Sequence, residues 1–488
     1  MVSTDTKKVL VQSSFCLSFC EEIQIVEVST DTKKVLVQSS FCLSFCEEIQ
    51  IVEVSTDTKK VLVQSSFCLS FCEEIQIVEV STDTKKVLVQ SSFCLSFCEE
   101  IQIVEKMALK GLTVLEFAGL APAPFCGMIM ADFGARVIRI DRPQPQYSID
   151  TLGRGKESIC VDMKKPSGTQ IIKRLSETSD VLIEPFRTGV MEKYGLGPES
   201  LLSVNPRLIY TRLSGFGQNG SLAKRVGHDI NFLAISGLLS TLGRANERPH
   251  APINLLGDFA GGSLLSLIGI LLALRYRSQT GQGQVVDNNM TAGAAYLGSW
   301  IWKSQELPLV WGKSKGENLL DGGAAYYDTY ETSDGKYMAV GALEPLFYSN
   351  LLKVLELDEN DYPQFGGDQE YIRKALKGKF LNQTQKYWID KFENIDTCCT
   401  PVLSLQEAAL DSHNKTNKSF MIDSDGNSVP SPSPLLSKSP AITSAREDPV
   451  IGQHTHKILK EIDFTEEKIK ELISTQAVKQ NSPLNSKL

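Results

Sequence analysis

The stretch GLTVLEFAGLAPAPFCGMIMADFGARVIRID, residues 111–141, decides the fold class of most of this chain. Residues 112–117 form a short apolar run typical of a buried strand, and residues 125–133 predict a helix. Gly134 is placed to end that helix, and residues 137–141 predict the next strand. Strand, helix and strand in this order indicate two parallel strands joined by a crossover helix.

The same alternation continues along the chain. Further strands are expected at residues 159–163, 181–183 and 208–212, and an amphipathic helix at residues 167–179. Such alternation is typical of a mostly parallel sheet with helices on both faces, Rossmann-like in layout. We therefore expect the α/β fold class.

The turn after the first strand argues against a dinucleotide cofactor. It reads Gly-Leu-Ala-Pro-Ala-Pro, where a dinucleotide-binding turn needs G-x-G-x-x-G for the close approach of a pyrophosphate. Arg142 directly follows the acidic residue that ends the second strand, and a guanidinium suits a phosphate better than a ribose hydroxyl. The sequence thus predicts a Rossmann-like sheet without NAD.

Residues 2–105 are four identical copies of the 26-residue unit VSTDTKKVLVQSSFCLSFCEEIQIVE. Each copy has a net charge of −2, so the copies account for the whole formal charge of −8. They also hold eight of the twelve Cys, and the remaining four indicate no disulfide framework. Each copy has one strand-like run, residues 9–19 in the first, but identical copies lack the distinct terminal units that cap a solenoid.

We expect residues 1–106 to be a non-catalytic extension outside the fold. Two alternatives remain for these repeats. Their apolar, β-prone runs could pair with other chains, and their Cys-x3-Cys pairs could bind a metal or act in redox chemistry.

The character of the sequence changes after about residue 320. Residues 326–331 and 336–340 predict a hairpin around a Ser-Asp-Gly turn, and helical patterns follow at residues 345–357, 370–380 and 385–392. We assign residues 107–320 to the first part of a large domain and residues 321–430 to a small α+β domain. Residues 431–488 are expected to return to the large domain, with a last helix at 465–474 and a polar tail. The Ser-, Asn-, Pro- and Asp-rich stretch 411–444 predicts a connecting loop.

Composition excludes some partners. An acidic chain with 42% hydrophobic and 22% charged residues is an ordinary globular protein, so nucleic acid is not an expected partner. The most apolar run, residues 261–274, is shorter than the ~20 residues of a membrane span. It predicts a buried core helix, and no membrane span is expected.

The last three residues, Ser486-Lys487-Leu488, match the peroxisomal import signal. A receptor reads this tripeptide at an exposed chain end. The import receptor is therefore an expected partner, and the peroxisome is the expected location.

Three residues are candidates for chemistry, each with a plainer alternative. His228, in Gly-His-Asp-Ile-Asn, opens a predicted helix and could cap it, bind a metal or transfer protons. Asp258 ends Asn-Leu-Leu-Gly-Asp and by spacing is an N-cap, although an acid there also lies beside unpaired backbone N–H groups. Glu344, in Gly-Ala-Leu-Glu-Pro, lies between the hairpin and a helix, where solvated acids are common.

Nine longer stretches of the sequence carry a family pattern: LKGLTVLEFAGLAPAPFCGMIMADFGARVIRIDRP, LGRGKESICVDMKKP, DVLIEPFRTGVMEKYGLGPE, RLIYTRLSGFGQ, GHDINFLAISGLL, NLLGDFAGG, TGQGQVVD, LDGGAAYYDTYET and GKYMAVGALEP. These stretches resemble the class III coenzyme A transferases, and within that family the branch of 2-methylacyl-CoA racemases. The likeness runs in family order from residue 109 to residue 345, continues more weakly beyond, and covers none of the repeats.

The resemblance implies a reaction. The histidine of GHDIN and the aspartate of LLGD, here His228 and Asp258, would be two catalytic bases, and the acid of GALEP, Glu344, would support the histidine. One base would remove the α-proton of an acyl-CoA thioester to give an enolate, and the other would return a proton to the opposite face. This chemistry needs no metal and no redox cofactor.

The resemblance also implies a CoA-binding region. Four cations match positions that line it in the family: Arg142, Arg154, Lys156 and Arg187. Asp229 is expected to contact the thioester through its backbone N–H. The LGRGK motif departs from the more frequent LNRGK, which weakens the expectation for its loop.

The family architecture is an interlocked homodimer with the active site between the large domain of one subunit and the small domain of the other. The resemblance thus implies a second copy of the chain as a partner and branched-chain fatty acyl-CoA and bile-acid intermediates as substrates, in peroxisomes and also in mitochondria. Two other functions stay open. One is a CoA transferase in which Asp258 is a nucleophile, and the other is an assembly protein built by the repeats.

Overall fold

A computed structural model of the chain describes residues 107–143 and 150–481 and, within residues 1–106, seven strands. The internal contacts divide the chain into two units, Met1–Met107 and Ala108–Leu488. Each unit is described here by itself.

The strands of the first unit stack copy upon copy. One parallel sheet contains Val9–Ser13, Val35–Ser39, Val61–Ser65 and Val87–Ser91, and a second contains Glu22–Ile25, Glu48–Ile51 and Glu74–Ile77. Equivalent residues of successive copies are paired, as Val9 is with Val35. The expectation of one strand-like run per copy is therefore wrong, because two short strands are described in each of the first three copies.

The second unit contains a seven-stranded sheet. Six strands are parallel, and the C-terminal strand is antiparallel to its neighbour. This confirms the α/β class with a large parallel sheet. In spatial order the strands are Gln284–Asn289, Ile209–Ser214, Val181–Glu184, Thr113–Phe117, Arg136–Asp141, Glu157–Val161 and Val478–Lys479.

Helices cover this sheet, and apolar cores lie against it. The first helix begins at Pro122, three residues earlier than expected, because proline is well suited to the first turn of a helix. The helices are Pro122–Asp132, Pro166–Thr178, Val190–Lys193, Pro198–Val204, Asp229–Ser236, Leu265–Thr280, Met290–Leu297, Ser299–Ser304, Thr455–Glu461 and Glu466–Ser474, with a 3₁₀ turn at Leu238–Thr241 and a π-helical segment at Leu255–Leu264.

The apolar run expected to form a buried core helix is only partly buried in the single chain. It lies in a continuous helical span, Leu255–Thr280, that is long and apolar enough to cross a membrane by length and composition alone. Only 33% of its most apolar window is buried. Ile268 and Leu272 are 49% and 66% exposed. The composition predicted an apolar helix, but it could not predict how much of that helix is buried within the single chain.

Residues 324–402, most of the segment assigned from sequence to the small domain, have their own sheet and core. The hairpin Tyr327–Glu331 and Tyr337–Gly341 is antiparallel, as expected, and Cys399–Val402 adds a third strand. Helices Pro345–Val354, Gln369–Leu381 and Gln385–Phe392 pack around a separate aromatic core. The expected loop 411–444 instead contains helix Ser412–Thr416 and the hairpin Phe420–Ile422 and Ser428–Pro430, after a helix at Leu405–Leu410.

Candidate active site

His228 occupies the N-cap position of the helix Asp229–Ser236. Its backbone N–H donates to Asn231 Oδ1 at 3.0 Å, which fixes the start of the helix. The residue is exposed. The helix entry therefore places the imidazole at the surface of the chain, beside the N-terminal N–H groups of the helix.

Asp258 lies inside the π-helical segment Leu255–Leu264, whose N-cap is Asn254. The expectation that Asp258 is itself the N-cap is wrong, because the helical turn begins three residues earlier. The carboxylate of Asp258 accepts a hydrogen bond from Asn254 Nδ2 at 3.2 Å, from a residue one turn away. This contact orients one of its two oxygens.

Asp229 is the first residue of the helix that His228 caps, and it is buried. Its side chain contacts the start of the segment Leu255–Leu264. Its Oδ1 accepts hydrogen bonds from the backbone N–H groups of Gly257 and Asp258, both at 2.7 Å. These are N–H groups of the first helical turn, which have no partner within their own helix. The sequence predicted only a backbone role for Asp229, and this side-chain contact was missed.

The pKa of the Asp258 carboxyl is raised, primarily by burial. The hydrogen bond from Asn254 and the charge of His228 act to lower that pKa, and the negative charge of Asp229 raises it. His228 and Asp258 are thus close enough for their charges to interact. The fold brings together an imidazole and a partly buried carboxyl, two side chains that can act as proton donor and acceptor.

Glu344 makes no described contact with this pair. It occupies the N-cap position of the helix Pro345–Val354 in the small domain and is exposed. Its charge adds to the burial that raises the pKa of the Cys398 thiol. Among the contacts described, none joins Glu344 to His228 or Asp258.

Arg142 and Arg187 follow two strands that flank the central strand Thr113–Phe117. Both are exposed, and Arg142 lies 5.9 Å from the ring centre of Phe186. Arg187 Nη1 donates to the backbone oxygen of Lys224 at 3.3 Å. The carboxyl edge of a parallel sheet is where such folds bind ligands, so both guanidinium groups lie at a suitable edge for phosphates.

Arg154 and Lys156 already have protein partners. Arg154 donates to both carboxylate oxygens of Asp132, at 3.1 and 2.7 Å. Lys156 Nζ donates to both oxygens of Glu116 and to the backbone oxygen of Pro124, which uses all three of its N–H groups. Lys156, predicted to line the CoA-binding region, is instead held in a buried ion pair with Glu116. The described residues contain no group of three or more His, Cys, Asp or Glu placed to hold a metal.

Comparisons with known proteins define the class. Residues 109–455 match the sequence model of CoA-transferase family III, and the chain belongs to that family. It is 50% identical to human alpha-methylacyl-CoA racemase over 77% of this chain and 98% of that protein. It is 29% identical to human succinyl-CoA:glutarate CoA-transferase, over 76% and 90%. A crystal structure of a CAIB/BAIF family protein from Brucella suis has a TM-score of 0.63 at 25% identity, over 73% and 100% of the two chains.

Proposed function

We propose that the chain is an α-methylacyl-CoA racemase, an isomerase that interconverts the (R) and (S) forms of 2-methylacyl-CoA thioesters. The observation that carries this function is the juxtaposition of His228 and Asp258 in a chain that is 50% identical to a racemase over nearly the whole of that protein. Branched-chain fatty acyl-CoA and bile-acid intermediates are the proposed substrates.

The mechanism is a two-base proton transfer. Either His228 or Asp258 removes the α-proton, and the electron pair of the C–H bond moves toward the thioester oxygen to give an enolate. The other residue, in its protonated form, returns a proton to the opposite face. The backbone N–H of Asp229, in the first turn of its helix, is proposed to stabilise the negative charge on that oxygen.

A second copy of the chain is proposed to complete the site. Glu344 makes no described contact with His228, and residues 253–309 carry many exposed apolar side chains, which we call the apolar belt. Large exposed apolar surfaces are typical of an oligomer interface. The members of the apolar belt include Ile253, Leu272, Tyr296, Trp302 and Leu309, each more than 60% exposed. In the homodimer the partner covers this belt and brings its own Glu344 to His228, where the carboxylate orients the ring and favours its protonated form.

The proposed CoA contacts are Arg142 and Arg187, whose guanidinium groups lie at the carboxyl edge of the sheet. Arg154 is proposed to bind CoA only if a phosphate replaces Asp132 as its partner. The reaction as proposed uses no metal or redox cofactor, because the two bases and the helix terminus supply every group that it needs.

The peroxisome is the proposed location. It rests on Ser486-Lys487-Leu488, which lies outside the described residues. A fluorescent protein fused to the N-terminus should enter peroxisomes with the full chain and stay outside them after removal of Leu488.

A second candidate function is CoA transfer, since the family also contains relatives that are CoA-transferases. In that reaction the Asp258 carboxylate attacks the thioester carbonyl and forms a C–O bond, the C–S bond breaks, and CoA leaves as the thiolate, so that the acyl group remains on Asp258 as a mixed anhydride. The partly buried carboxyl of Asp258 would serve either chemistry.

The third possibility is an assembly protein built by the repeats. Deletion of residues 1–106 tests it, because an enzyme keeps its activity without the repeats.

The deciding experiment is deuterium incorporation at the α-carbon of a single-enantiomer 2-methylacyl-CoA in D₂O with the full chain. We expect incorporation together with loss of stereochemical purity, and loss of both after His228→Ala or Asp258→Ala. If the α-proton is retained, and CoA instead appears on an added carboxylic acid, the racemase proposal is wrong and the transferase is correct.

A further inference from the structure

A single carboxylate oxygen joins the two segments that carry the proposed bases. Asp229 is the first residue of the helix that His228 caps, and it is 4% exposed. Its Oδ1 accepts from both Gly257 N–H and Asp258 N–H at 2.7 Å. Because Asp229 directly follows His228 in the chain, this oxygen fixes the backbone of one base relative to the other.

Gly257 makes this close approach possible. A Cβ atom at residue 257 would lie 2.6 Å from Asp229 Oδ1 and 3.0 Å from its Cγ. Any side chain at this position would push the carboxylate away from the two N–H groups. The glycine is therefore required by the contact with Asp229.

The second oxygen of Asp229 has a different environment. Oδ2 is buried and accepts no hydrogen bond from any residue that the structure describes. A buried carboxylate oxygen without a donor is unfavourable, so such an arrangement is expected where it serves a function. Besides Asp229, the polar groups that alter the pKa of Asp258 are His228 and Asn254, and both lower it.

We propose that Asp229 is a positioning residue of the racemase reaction. Through Oδ1 its side chain holds the backbone of Asp258 beside the entry of the His228 helix, so that the two bases address opposite faces of one α-carbon. This role is separate from any contact of its backbone N–H with substrate, and it rests on the proposed racemase function.

The test compares full-chain variants in the deuterium incorporation experiment. Asp229→Ala removes the acceptor, and we expect kcat to fall by roughly 10- to 100-fold with KM changed by less than about 3-fold, because a small misplacement of a base slows proton transfer more than binding. Gly257→Ala displaces the acceptor and should have the same effect. Gly378→Ala is the matched control, because a Cβ there meets no atom within 4 Å.

Asp229→Asn separates positioning from charge. The amide oxygen can still accept both hydrogen bonds, so kcat should recover to within roughly 10-fold of the parent value. The negative charge is lost, so the pKa of Asp258 should fall. The acid limb of the pH–rate profile should then move to lower pH for the enantiomer whose proton Asp258 removes.

Three results would overturn the positioning role. The first is an Asp229→Ala enzyme with the parent kcat. The second is an Asp229→Asn enzyme as slow as Asp229→Ala with an unshifted pH profile. The third is an inactive parent chain, which rejects the racemase function itself and the positioning role with it. If circular dichroism shows that the Asp229→Ala protein is not folded, the pH–rate profile of Asp229→Asn decides whether Asp229 is a positioning residue.

Discussion

Lys156 Nζ lies 2.9 and 2.8 Å from the two carboxylate oxygens of Glu116, and both side chains are completely buried. The third donor of the ammonium group reaches the backbone oxygen of Pro124 at 2.8 Å. The lysine thus ties the central strand Thr113–Phe117 to the first turn of the helix Pro122–Asp132. Burial raises the pKa of Glu116 to about 7, against the opposing effect of Lys156.

Replacing Lys156 by Met should destabilise the fold strongly. The substitution leaves a buried carboxylate without its cation, which typically costs about 3–5 kcal/mol of unfolding free energy. Thermal or urea unfolding of the full chain measures the change. Lys336→Met is the matched control, because its pair with Glu407 is exposed, and its melting temperature should shift far less. Equal shifts for the two variants would contradict the structural role of the buried pair.

Gly127→Ala should also be destabilising. A Cβ atom at this position would lie 1.7 Å from Glu116 Oε2, so the ion pair or the helix must move. Overpacking of this kind costs about 1–3 kcal/mol, measured by urea unfolding. Gly378→Ala should instead be neutral or slightly stabilising, because Gly378 is at an exposed helical position where the added methyl group meets no atom. A stable Gly127→Ala protein would mean that the helix does not pack against Glu116 as described.

Asn254→Ala should change the pH dependence of the reaction without unfolding the protein. Asn254 Nδ2–H donates to the Asp258 carboxylate and so lowers its pKa. Without that donor the pKa of Asp258 rises further. Since the base form of Asp258 exists above its pKa and is lost as the pH falls, the acid limb of the pH–rate profile should move to higher pH. The shift is opposite in sign to that of Asp229→Asn, and two shifts of the same sign would contradict the assignment of these contacts.

Leu272→Glu should dissociate the proposed homodimer. Leu272 is 66% exposed in the single chain and lies in the apolar helix Leu265–Thr280. A charge buried in an apolar interface is strongly unfavourable, so we expect a monomer by light scattering and loss of α-proton exchange. Leu405→Glu, at a leucine that is 85% exposed outside the apolar belt, is the control and should remain dimeric. A dimeric, active Leu272→Glu protein would place the interface elsewhere.

The parallel sheet could be predicted from sequence because its strands are short apolar runs between helical patterns. The strand Gln284–Asn289 was missed, since it contains four polar residues in six and has no strict alternation. The two-residue strand Val478–Lys479 is too short to produce any pattern. The exposure of Leu265–Thr280 was also missed, because an apolar composition is the same in a core and in an interface.

The candidate site was only partly predictable. His228 and Asp258 stood out through their motifs, and the fold brings them together. The bond from Gly257 N–H to Asp229 joins residues 28 positions apart, and no local pattern encodes such a contact. The burial of Lys156 was missed for a similar reason, because its partner Glu116 lies 40 positions away, on the strand Thr113–Phe117.

The antiparallel pairing of Val478–Lys479 with Glu157–Val161 has a consequence for biosynthesis. A ribosome must translate more than three hundred further residues after this inner strand before its edge partner emerges. Until then the Glu157–Val161 edge presents unpaired backbone groups, which invite pairing with other nascent chains. Truncation of the chain before residue 470 should therefore lower the yield of folded protein in cells. The truncation removes none of the proposed catalytic groups.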